Sequence, residues 1–580
     1  MTMLTLLTKS IRQYKKESLL SPAFVTVEVI LEVLIPLIMA DLIDKGIEVG
    51  NMAVILRLGI LLVVLAMASL FMGAMSGKYC AIASAGFARN LRHDMYYKVQ
   101  DFSFSNIDKF SSAGIVTRLT TDVANIQMAY MMIIRVAVRA PAMLIFALIM
   151  AFRISSRLAL VFLAVLPILG IGLYLIMSHA HPIFKRVFKT YDRMNNVVQE
   201  NLRGFRVVKS YVREDHEVEK FSAVSQSIFK DFTKAEKMLA FNSPLMQFSM
   251  YSCMLLFSWF GAKLIVGGDL TTGGLMSLIT YSIQILMSLM MLSMIFVMIT
   301  ISRTSAERVA EILREKPDLY TPPTGLTQVA DGSVRFQNVS FSYANDPDKL
   351  CLMDVNLDIP AGATVGIVGG TGSAKSTLVQ LIPRLYDVTL GQILVGGVDV
   401  REYDLEVLRD NVAMVLQKNV LFSGTIKENL RWGDANATDE EMVHACRVAC
   451  ADEFIRQFPD GYDTYIEQGG TNVSGGQKQR LTIARALLKK PKILILDDST
   501  SAVDTATDAR IRKAFREELP DTTKFIIAQR ISSVQDADII LVMDGGRVVS
   551  QGSHDELLKT SPIYREVYES QQKGDENDVA

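Results

Sequence analysis

Six apolar stretches, each long enough to cross a lipid bilayer, constrain this chain more than any other feature. A spanning helix needs about 20 predominantly apolar residues. The stretches lie at residues 19–41, 53–76, 128–152, 157–178, 240–266 and 275–300. Half of the 580 residues are hydrophobic and 21% are charged, a balance more apolar than that of a soluble protein. We therefore predict an all-α membrane domain of six transmembrane helices over residues 1–312.

Basic residues predict how these helices are oriented. The long loops between the second and third stretches and between the fourth and fifth are rich in Lys and Arg, whereas the first short loop carries Asp41, Asp44 and Glu48. Because Lys and Arg concentrate on the cytoplasmic side of membranes, both termini and both long loops are expected in the cytosol. No short apolar region with a cleavage site follows the basic N-terminus, so the first helix is expected to remain, in a plasma membrane.

Several classes of partner and site are disfavoured by the composition. A net charge of -1 gives no sign of a basic face for nucleic acid, so we expect no nucleic-acid partner. The partner that the apolar stretches indicate is a lipid bilayer. The five cysteines form no C-x-x-C pair, which argues against a disulfide frame or a zinc site. His179 and His181 lack a third ligand nearby in the sequence and are interpreted as incidental.

The pattern changes after a proline- and glycine-containing linker at residues 313–332. Beyond it, short β-branched runs such as Ser333–Tyr343 alternate with helical segments, as in α/β domains. We predict an α/β nucleotide-binding domain of the P-loop type over residues 333–570, and a polar, disordered tail over residues 571–580.

A glycine-rich segment between the strand Thr364–Val368 and the helix Leu378–Leu385 has the context of a P-loop. In such loops backbone N–H groups and a helix N-terminus hold phosphates. Lys375 is predicted to reach the β/γ-phosphate oxygens of ATP, and the Ser376 hydroxyl to bind Mg²⁺. The predicted phosphate-binding residues are Gly369, Gly370, Thr371, Gly372, Ser373, Ala374, Lys375, Ser376 and Thr377.

A second element of this site lies about 120 residues farther along the chain. There the apolar run Ile493–Leu496 ends in Asp497. Many core strands end in a carboxylate, but one that accompanies a P-loop can hold Mg²⁺ through water. Asp497 is therefore predicted to be a metal-binding residue together with Ser376.

The segment Val473-Ser474-Gly475-Gly476-Gln477 resembles the signature motif of ATP-binding cassette (ABC) proteins. The resemblance covers essentially the whole chain, because the first half is similar to the six-helix domain of ABC exporters. It implies a head-to-tail dimer in which Ser474, Gly475, Gly476 and Gln477 of one chain contact ATP on the partner's P-loop. The helix that starts near Gln477 would direct its positive N-terminus at that phosphate.

The same resemblance implies roles for residues outside these motifs. Tyr343 matches the aromatic residue that stacks on adenine, and Gln417 matches the glutamine that ligates Mg²⁺ and senses the membrane domain. Asp504 closes a segment, Ser501–Asp504, that matches the D-loop. Two cytosolic stretches, Phe102–Phe110 and Ser210–Phe221, match helices that dock on nucleotide domains, the second on that of the partner.

Three positions depart from the family pattern. The residue after Asp497 is normally Glu, which polarises the attacking water, and is Asp498 here. Gln529 occupies the position of the switch histidine, and Ala374 that of the second P-loop glycine. A shorter carboxylate is misplaced by roughly 1 Å, which can cost about a hundredfold in rate, and glutamine cannot carry an imidazole's proton. The combination resembles the degenerate site of heterodimeric ABC exporters, in which one site of two turns over.

The membrane half contains charged residues at helical spacing. Glu28 and Glu32 share one face of the first span, and Arg135 and Arg139 share one face of the third. Ionisable groups at membrane depth usually face the bundle or a cavity, so they mark either a substrate pathway or a structural ion pair between helices. Both interpretations stay open, and we expect Glu28 to pair with Arg139.

A row of methionines follows one face of the sixth span. Thioether side chains suit a cavity that accepts varied apolar ligands, although ordinary packing produces the same pattern. We expect Met290 or Met294 to line a cavity. The members of the row are Met287, Met290, Met291, Met294 and Met298.

The resemblance thus predicts one subunit of a heterodimeric bacterial exporter that uses ATP and Mg²⁺ to move a small apolar or amphipathic compound. Two alternatives stay open. One is an importer built on the exporter fold, and the other is an ATP-gated regulator or channel that does not pump.

Overall fold

The computed structural model describes residues 3–498 and 503–578 and divides into two compact units. The first, here called the membrane unit, comprises Met1–Gln100 and Ala113–Glu315. The second, the nucleotide unit, comprises Asp101–Ser112 and Lys316–Ala580. The segment Asp101–Ser112 lies inside the predicted membrane domain of residues 1–312 but packs with the nucleotide unit, for reasons given below.

Six helical stretches of the described chain are long and apolar enough to cross a membrane, which confirms the predicted all-α membrane domain. They extend well beyond the apolar cores, as far as Gln100 and Arg203 for the second and fourth. The third is bent at Arg135, whose φ of -115° and ψ of -63° leave the regular helical values. The stretches are Met3–Ile47, Met52–Gln100, Ser112–Ile154, Ser156–Arg203, Glu214–Val266 and Thr272–Ile295.

Shorter helices make up these stretches and continue them into the long loops. The last one runs on to Arg314 as the helix Thr272–Arg314. The α-helices of the membrane unit are Met3–Thr8, Lys15–Leu42, Met52–Gln100, Ser112–Thr117, Val123–Ile134, Val136–Ile154, Ser156–Arg203, Phe205–Ser210, Glu214–Ala240, Asn242–Val266 and Thr272–Arg314.

An ion triad joins the first and third spans. Arg139 donates through one terminal nitrogen to Glu28 and through the other to both carboxylate oxygens of Glu32, at 2.8 Å each. The predicted pairing of Glu28 with Arg139 is therefore confirmed. Gly73 of the second span makes room for it, because a Cβ there would lie 2.8 Å from Oε1 of Glu28. Arg135 lies one turn away, against Gly77.

The nucleotide unit contains twelve β-strands among its described residues, arranged in three sheets. β2-β1-β4-β5 form an antiparallel sheet, β12-β11-β3-β10-β9-β6 form a larger sheet, and β7 pairs with β8. The strands are β1 (Val334–Phe341), β2 (Leu352–Ile359), β3 (Thr364–Gly369), β4 (Leu390–Val395), β5 (Val398–Asp399), β6 (Val412–Val415), β7 (Gly424–Thr425), β8 (Tyr465–Ile466), β9 (Ile493–Asp497), β10 (Thr523–Ile527), β11 (Ile539–Asp544) and β12 (Arg547–Gly552).

Helices cover the sheets of this α/β unit, whose class agrees with the prediction. The final helix, Pro562–Asp578, runs through most of the segment for which the sequence predicts a disordered tail. The helices are Phe104–Phe110, Lys375–Gln380, Leu405–Asn411, Ile426–Leu430, Asp439–Val448, Asp452–Ile455, Gly475–Leu488, Thr505–Glu518, His554–Thr560 and Pro562–Asp578.

The order of the parallel strands positions the candidate site. β10 lies between β3 and β9, and all three run parallel, so their carboxyl ends meet at one edge. Ile527 at the end of β10 pairs with Ile367 and with Asp497. The strands are buried on both faces, which explains their continuous apolar runs. The P-loop, Asp497 and Gln529 consequently follow neighbouring strand ends, where α/β sheets bind ligands.

The predicted linker packs on the nucleotide unit. Leu326 exchanges main-chain hydrogen bonds with Glu402 and Asp404, at 3.0 and 3.1 Å. Val329 is buried nearby, at 1% exposure. Apolar side chains spaced among the prolines therefore bind this segment to the domain that follows it.

Candidate nucleotide site

The P-loop connects β3 to the helix Lys375–Gln380 with backbone conformations that few residues adopt. Gly369 has φ of +155° and lies so close to Met543 that a Cβ would approach its carbonyl oxygen to 2.2 Å, so only glycine fits. Ala374, the residue before the helix, has φ of 69° and ψ of 26°. This left-handed conformation costs an L-residue with a side chain about 1 kcal/mol, which explains why the family pattern has glycine there.

The Lys375 ammonium group lies folded over the loop. It donates to the carbonyl oxygens of Gly369 at 2.9 Å and of Gly370 at 2.8 Å. Burial lowers the pKa of Lys375, and the negative charges of Asp498 and Asp497 act in the opposite direction. A cation held by neutral carbonyl groups of the P-loop is well placed to receive the oxygens of an anionic ligand.

Ser376 and Asp497 meet at the end of β9. The Ser376 hydroxyl donates to Oδ1 of Asp497 at 2.8 Å, and Asp497 is 3% exposed. Burial raises the pKa of Asp497, and the neighbouring charge of Asp498 raises it further. A hydroxyl and a carboxylate are ligands that Mg²⁺ accepts, and a bound cation would relieve the unfavourable charge. These residues therefore fit the predicted metal, with Gln417 as the third candidate ligand.

Asp498 receives hydrogen bonds from two side-chain amides. Gln529 Nε2 donates to Oδ2 of Asp498 at 2.7 Å, and Gln417 Nε2 donates to the same oxygen at 3.4 Å. Asp498 is 8% exposed and has φ of 48°, with its own N–H bonded to the carbonyl of Ile527. Two of the three residues that depart from the family pattern, Asp498 and Gln529, are thus in direct contact. Neither amide can accept a proton from water at neutral pH.

Tyr343 lies beside the helix that follows the P-loop. Its hydroxyl is 3.0 Å from that of Thr377, and burial raises the pKa of Tyr343. The rings of Phe341 and Tyr386 contact it edge-on, at 4.9 and 5.2 Å between centroids. The Tyr343 side chain is nevertheless half exposed, so one surface of the ring stays available for the predicted stacking on a base.

The signature segment starts the helix Gly475–Leu488. Ser474 caps it: its hydroxyl accepts from the N–H of Gln477 at 3.2 Å, and the Gln477 side chain accepts from the N–H of Ser474 at 2.9 Å. Ser474 and Gly475 are exposed, so the positive end of a 14-residue helix faces outward. This geometry suits an anion supplied from outside the chain.

Asp504 caps the next helix, Thr505–Glu518. Its carboxylate accepts from the N–H of Thr507 at 2.9 Å, and this hydrogen bond lowers the pKa of Asp504. Ser501, with the rest of the predicted D-loop before Val503, lies outside the described residues.

Sequence reasoning missed Tyr386, which joins the segment Asp101–Ser112 to the nucleotide unit. Its hydroxyl donates to Asp108 at 2.9 Å, and its ring lies 6.1 Å from that of Phe104. Nothing in the local sequence indicates this contact, because the partners are 278 residues apart. It places the predicted docking helix, Phe104–Phe110, next to the ring that contacts Tyr343.

The membrane unit has a cavity of about 290 Å³ that the predicted Met290 and Met294 both line. Asn242 also borders it, and its Oδ1 is buried without a hydrogen-bond partner among the described residues. The lining residues are Met132, Met177, Leu239, Asn242, Met290, Ser293, Met294 and Met298.

Comparisons with known proteins agree with this architecture. Residues 19–290 match the family model of the ABC transporter transmembrane region, and residues 352–501 match that of the ABC transporter domain. An uncharacterized ABC transporter ATP-binding protein of Bacillus subtilis (strain 168) is 36% identical over 94% of each chain.

Two further relatives extend the comparison to a named activity and to a solved structure. An ATP-dependent lipid A-core flippase of Desulfotalea psychrophila is 34% identical over 83% of this chain and 84% of its own. The solved structure of a bacterial Atm1-family ABC exporter with ATP bound has a TM-score of 0.80 at 25% identity, covering 97% of this chain and 98% of the other. The chain belongs to the ABC transporter family and has the fold of an ABC exporter.

Proposed function

We propose that this chain is one subunit of a heterodimeric ABC exporter of apolar or amphipathic compounds, and that its own ATP site turns over slowly. One observation carries the proposal, namely the contact between Asp498 and Gln529. At the position where the family places a water-activating carboxylate and a proton-carrying imidazole, this chain has a short carboxylate bonded to neutral amides. Such a site can hold Mg-ATP but is poorly equipped to activate water.

The phosphate-binding side of the site supports ATP binding. Lys375 lies over the loop, Ser376 and Asp497 form a pair that fits Mg²⁺, and the Tyr343 ring is accessible. A long-lived ATP at this site would keep two nucleotide domains together while a second site fires.

The exposed signature segment supports a partner chain. Ser474 and Gly475 present a helix N-terminus outward, as needed to close over ATP bound elsewhere. An intact signature beside an altered catalytic pair makes sense if the partner has the catalytic P-loop. Two copies of this chain would combine two slow sites and no fast one.

The methionine-lined cavity supports an apolar or amphipathic substrate. Flexible thioethers adapt to varied apolar shapes, and the Oδ1 of Asn242, which has no hydrogen-bond partner in the described part of the chain, offers one polar anchor. The flippase among the relatives acts on a lipid, which fits this class. The protein is proposed to lie in the plasma membrane. Both termini would face the cytosol, as the charges of the loops indicate.

An ATP-gated regulator without pumping is the second candidate, because a slow site suffices to change shape on ATP binding. An importer on the same fold shares every feature of the site. Vectorial uptake of a lipophilic dye into inverted vesicles that contain both subunits separates the three: ATP-dependent accumulation supports export, ATP-dependent loss supports import, and passive flux gated by ATP supports the regulator.

The chain purified alone in lipid nanodiscs tests the slow site directly. It is expected to bind Mg-ATP and hydrolyse it slowly, and the addition of the partner subunit should restore turnover. In that mixed dimer, Ser474→Ala should abolish turnover, whereas Asp498→Asn should reduce it modestly. Brisk hydrolysis by the unmodified chain as a homodimer would overturn the proposal.

A further inference from the structure

The last helix carries a side chain that holds the loop after β10. Gln571 Nε2 donates to the carbonyl oxygen of Gln529 at 2.8 Å, and Gln571 Oε1 accepts from the N–H of Ile531 at 2.9 Å. One planar amide thus bonds the main chain on both sides of Arg530. Both bonds are to main-chain atoms, so they do not depend on which side chain stands at position 529.

The helix Pro562–Asp578 is itself fixed at its start. Tyr564 is 1% exposed, and its hydroxyl lies 2.8 Å from Nδ1 of His554 in the preceding helix. Arg565 donates to the carbonyls of Leu558 and Lys559, at 2.6 and 2.9 Å. Gln571 lies about two turns beyond Tyr564, so its amide reaches the loop from a rigid base.

The loop needs such support because its functional side chain is exposed. Gln529 lies on the surface, and its Nε2 nevertheless reaches Asp498 at 2.7 Å. Ile531 anchors one end of the loop in the core, at 1% exposure. Surface loops are more mobile than the elements they connect, and misplacement by about 1 Å is enough to weaken catalysis, so main-chain hydrogen bonds to this loop favour the contact.

We propose that Gln571 is a positioning residue of the ATP site, which acts through the main chain to hold residue 529 within reach of residue 498. The C-terminal helix is then part of the catalytic apparatus. This role goes beyond the proposed heterodimer and applies whether residue 529 serves a slow site or a fast one.

Hydrogen exchange in the full chain, in lipid nanodiscs, tests the contact without reference to activity. Gln571→Ala should accelerate amide exchange of a peptide covering residues 529–533 about tenfold and leave β3 unchanged. The matched control is Gln572→Ala, because the exposed Gln572 donates to the hydroxyl of Tyr568 at 2.7 Å and not to the loop. Unchanged exchange in Gln571→Ala overturns the proposal.

Kinetics test the positioning role and rest on the proposed function, since they use a chain rebuilt with Asp498→Glu and Gln529→His. In that background Gln571→Ala should lower kcat about tenfold and change the KM for ATP less than about twofold. With Gln529→Ala in place of Gln529→His, the same change should alter kcat less than about twofold. Equal losses in the two backgrounds would show a merely structural helix and overturn the role. If rebuilding raises no hydrolysis, the proposed slow site fails, and the exchange experiment still decides the contact.

Discussion

Buried charges have different partners in the two units. In the membrane unit, Arg139 is bonded to both Glu28 and Glu32, so opposite charges meet directly. In the nucleotide unit, Asp497 and Asp498 lie side by side and are bonded to a hydroxyl and two amides, while the nearby Lys375 donates to main-chain carbonyls.

This difference separates a structural cluster from a ligand site. An ion triad stabilises the helices that carry it, and removing its one cation, Arg139, leaves two carboxylates without that partner. Two neighbouring carboxylates raise one another's energy when both are charged, and they therefore favour binding of Mg²⁺ with an anionic nucleotide. Four changes sharpen or break this contrast.

The largest effect is expected in the membrane unit. Arg139→Gln should destabilise the protein by about 3–5 kcal/mol, because Glu28 and Glu32 both lose their cation, and Glu28→Gln should cost less, because Arg139 keeps its bonds to Glu32. The combined exchange Glu28→Arg with Arg139→Glu should recover much of this loss. Denaturant unfolding of the full chain in detergent measures both. The control is Glu48→Gln on the exposed loop between the first and second spans, which should change stability by less than about 0.5 kcal/mol.

If the exchanged pair is no more stable than either single variant, the triad does not hold the helices together. The open alternative, a substrate pathway through these charges, would then gain support. In that case the single variants would change transport and not unfolding.

In the nucleotide unit, removing the charge of Lys375 should lower the affinity for nucleotide and leave the stability of the fold unchanged. Lys375→Ala should weaken Mg-ATP binding about 100-fold, as expected for the loss of roughly 3 kcal/mol of charge-assisted hydrogen bonding. The free energy of unfolding without nucleotide should change little. Titration with a fluorescent ATP analogue measures the affinity, and the exposed Lys513→Ala is the control. Unchanged affinity would contradict the assignment of the phosphate site.

The next prediction concerns Asp498 and Gln529, the pair that departs from the family pattern, and the rate of ATP hydrolysis. Asp498→Glu with Gln529→His should raise ATP hydrolysis roughly tenfold, below the hundredfold that misplacement on this scale can cost. If the site is slow, as proposed, Asp498→Asn in the natural chain should change hydrolysis little. Phosphate release by the full chain measures both. A large loss in Asp498→Asn would show that Asp498 activates water as it stands.

How far the sequence predicted these features depends on how local they are. The P-loop and the Asp497 strand were predicted, because motif, strand and helix are contiguous or lie on neighbouring parallel strands. The Glu28–Arg139 pair was also predicted, since helical rise and depth in a bilayer limit the choice of partner. Nothing in the sequence indicated that Asp101–Ser112, within the range 1–312, packs with the nucleotide unit.

The contacts that sequence reasoning missed join distant segments without a motif. Tyr386 and Asp108 meet across 278 residues, and Gln571 lies in a polar stretch that reads as a disordered tail. Polar composition indicates low burial, but a single amide bonded to a loop needs no apolar surface. Long-range hydrogen bonds of this kind leave no periodic signal in the sequence.

The smallest effect concerns the strained residue of the P-loop. Ala374 has φ of 69°, a conformation that costs it about 1 kcal/mol more than glycine. Ala374→Gly removes that strain, although the greater freedom of glycine in the unfolded chain offsets part of the gain, so stability should rise by less than about 1 kcal/mol.

Gly372→Ala is the reverse change in the same loop: its φ is 84° and a Cβ there would meet no atom within 4 Å. It should therefore destabilise by about 1 kcal/mol through conformation alone. Thermal unfolding of the nucleotide-free full chain compares the two, and shifts of the same sign would contradict the strain at Ala374.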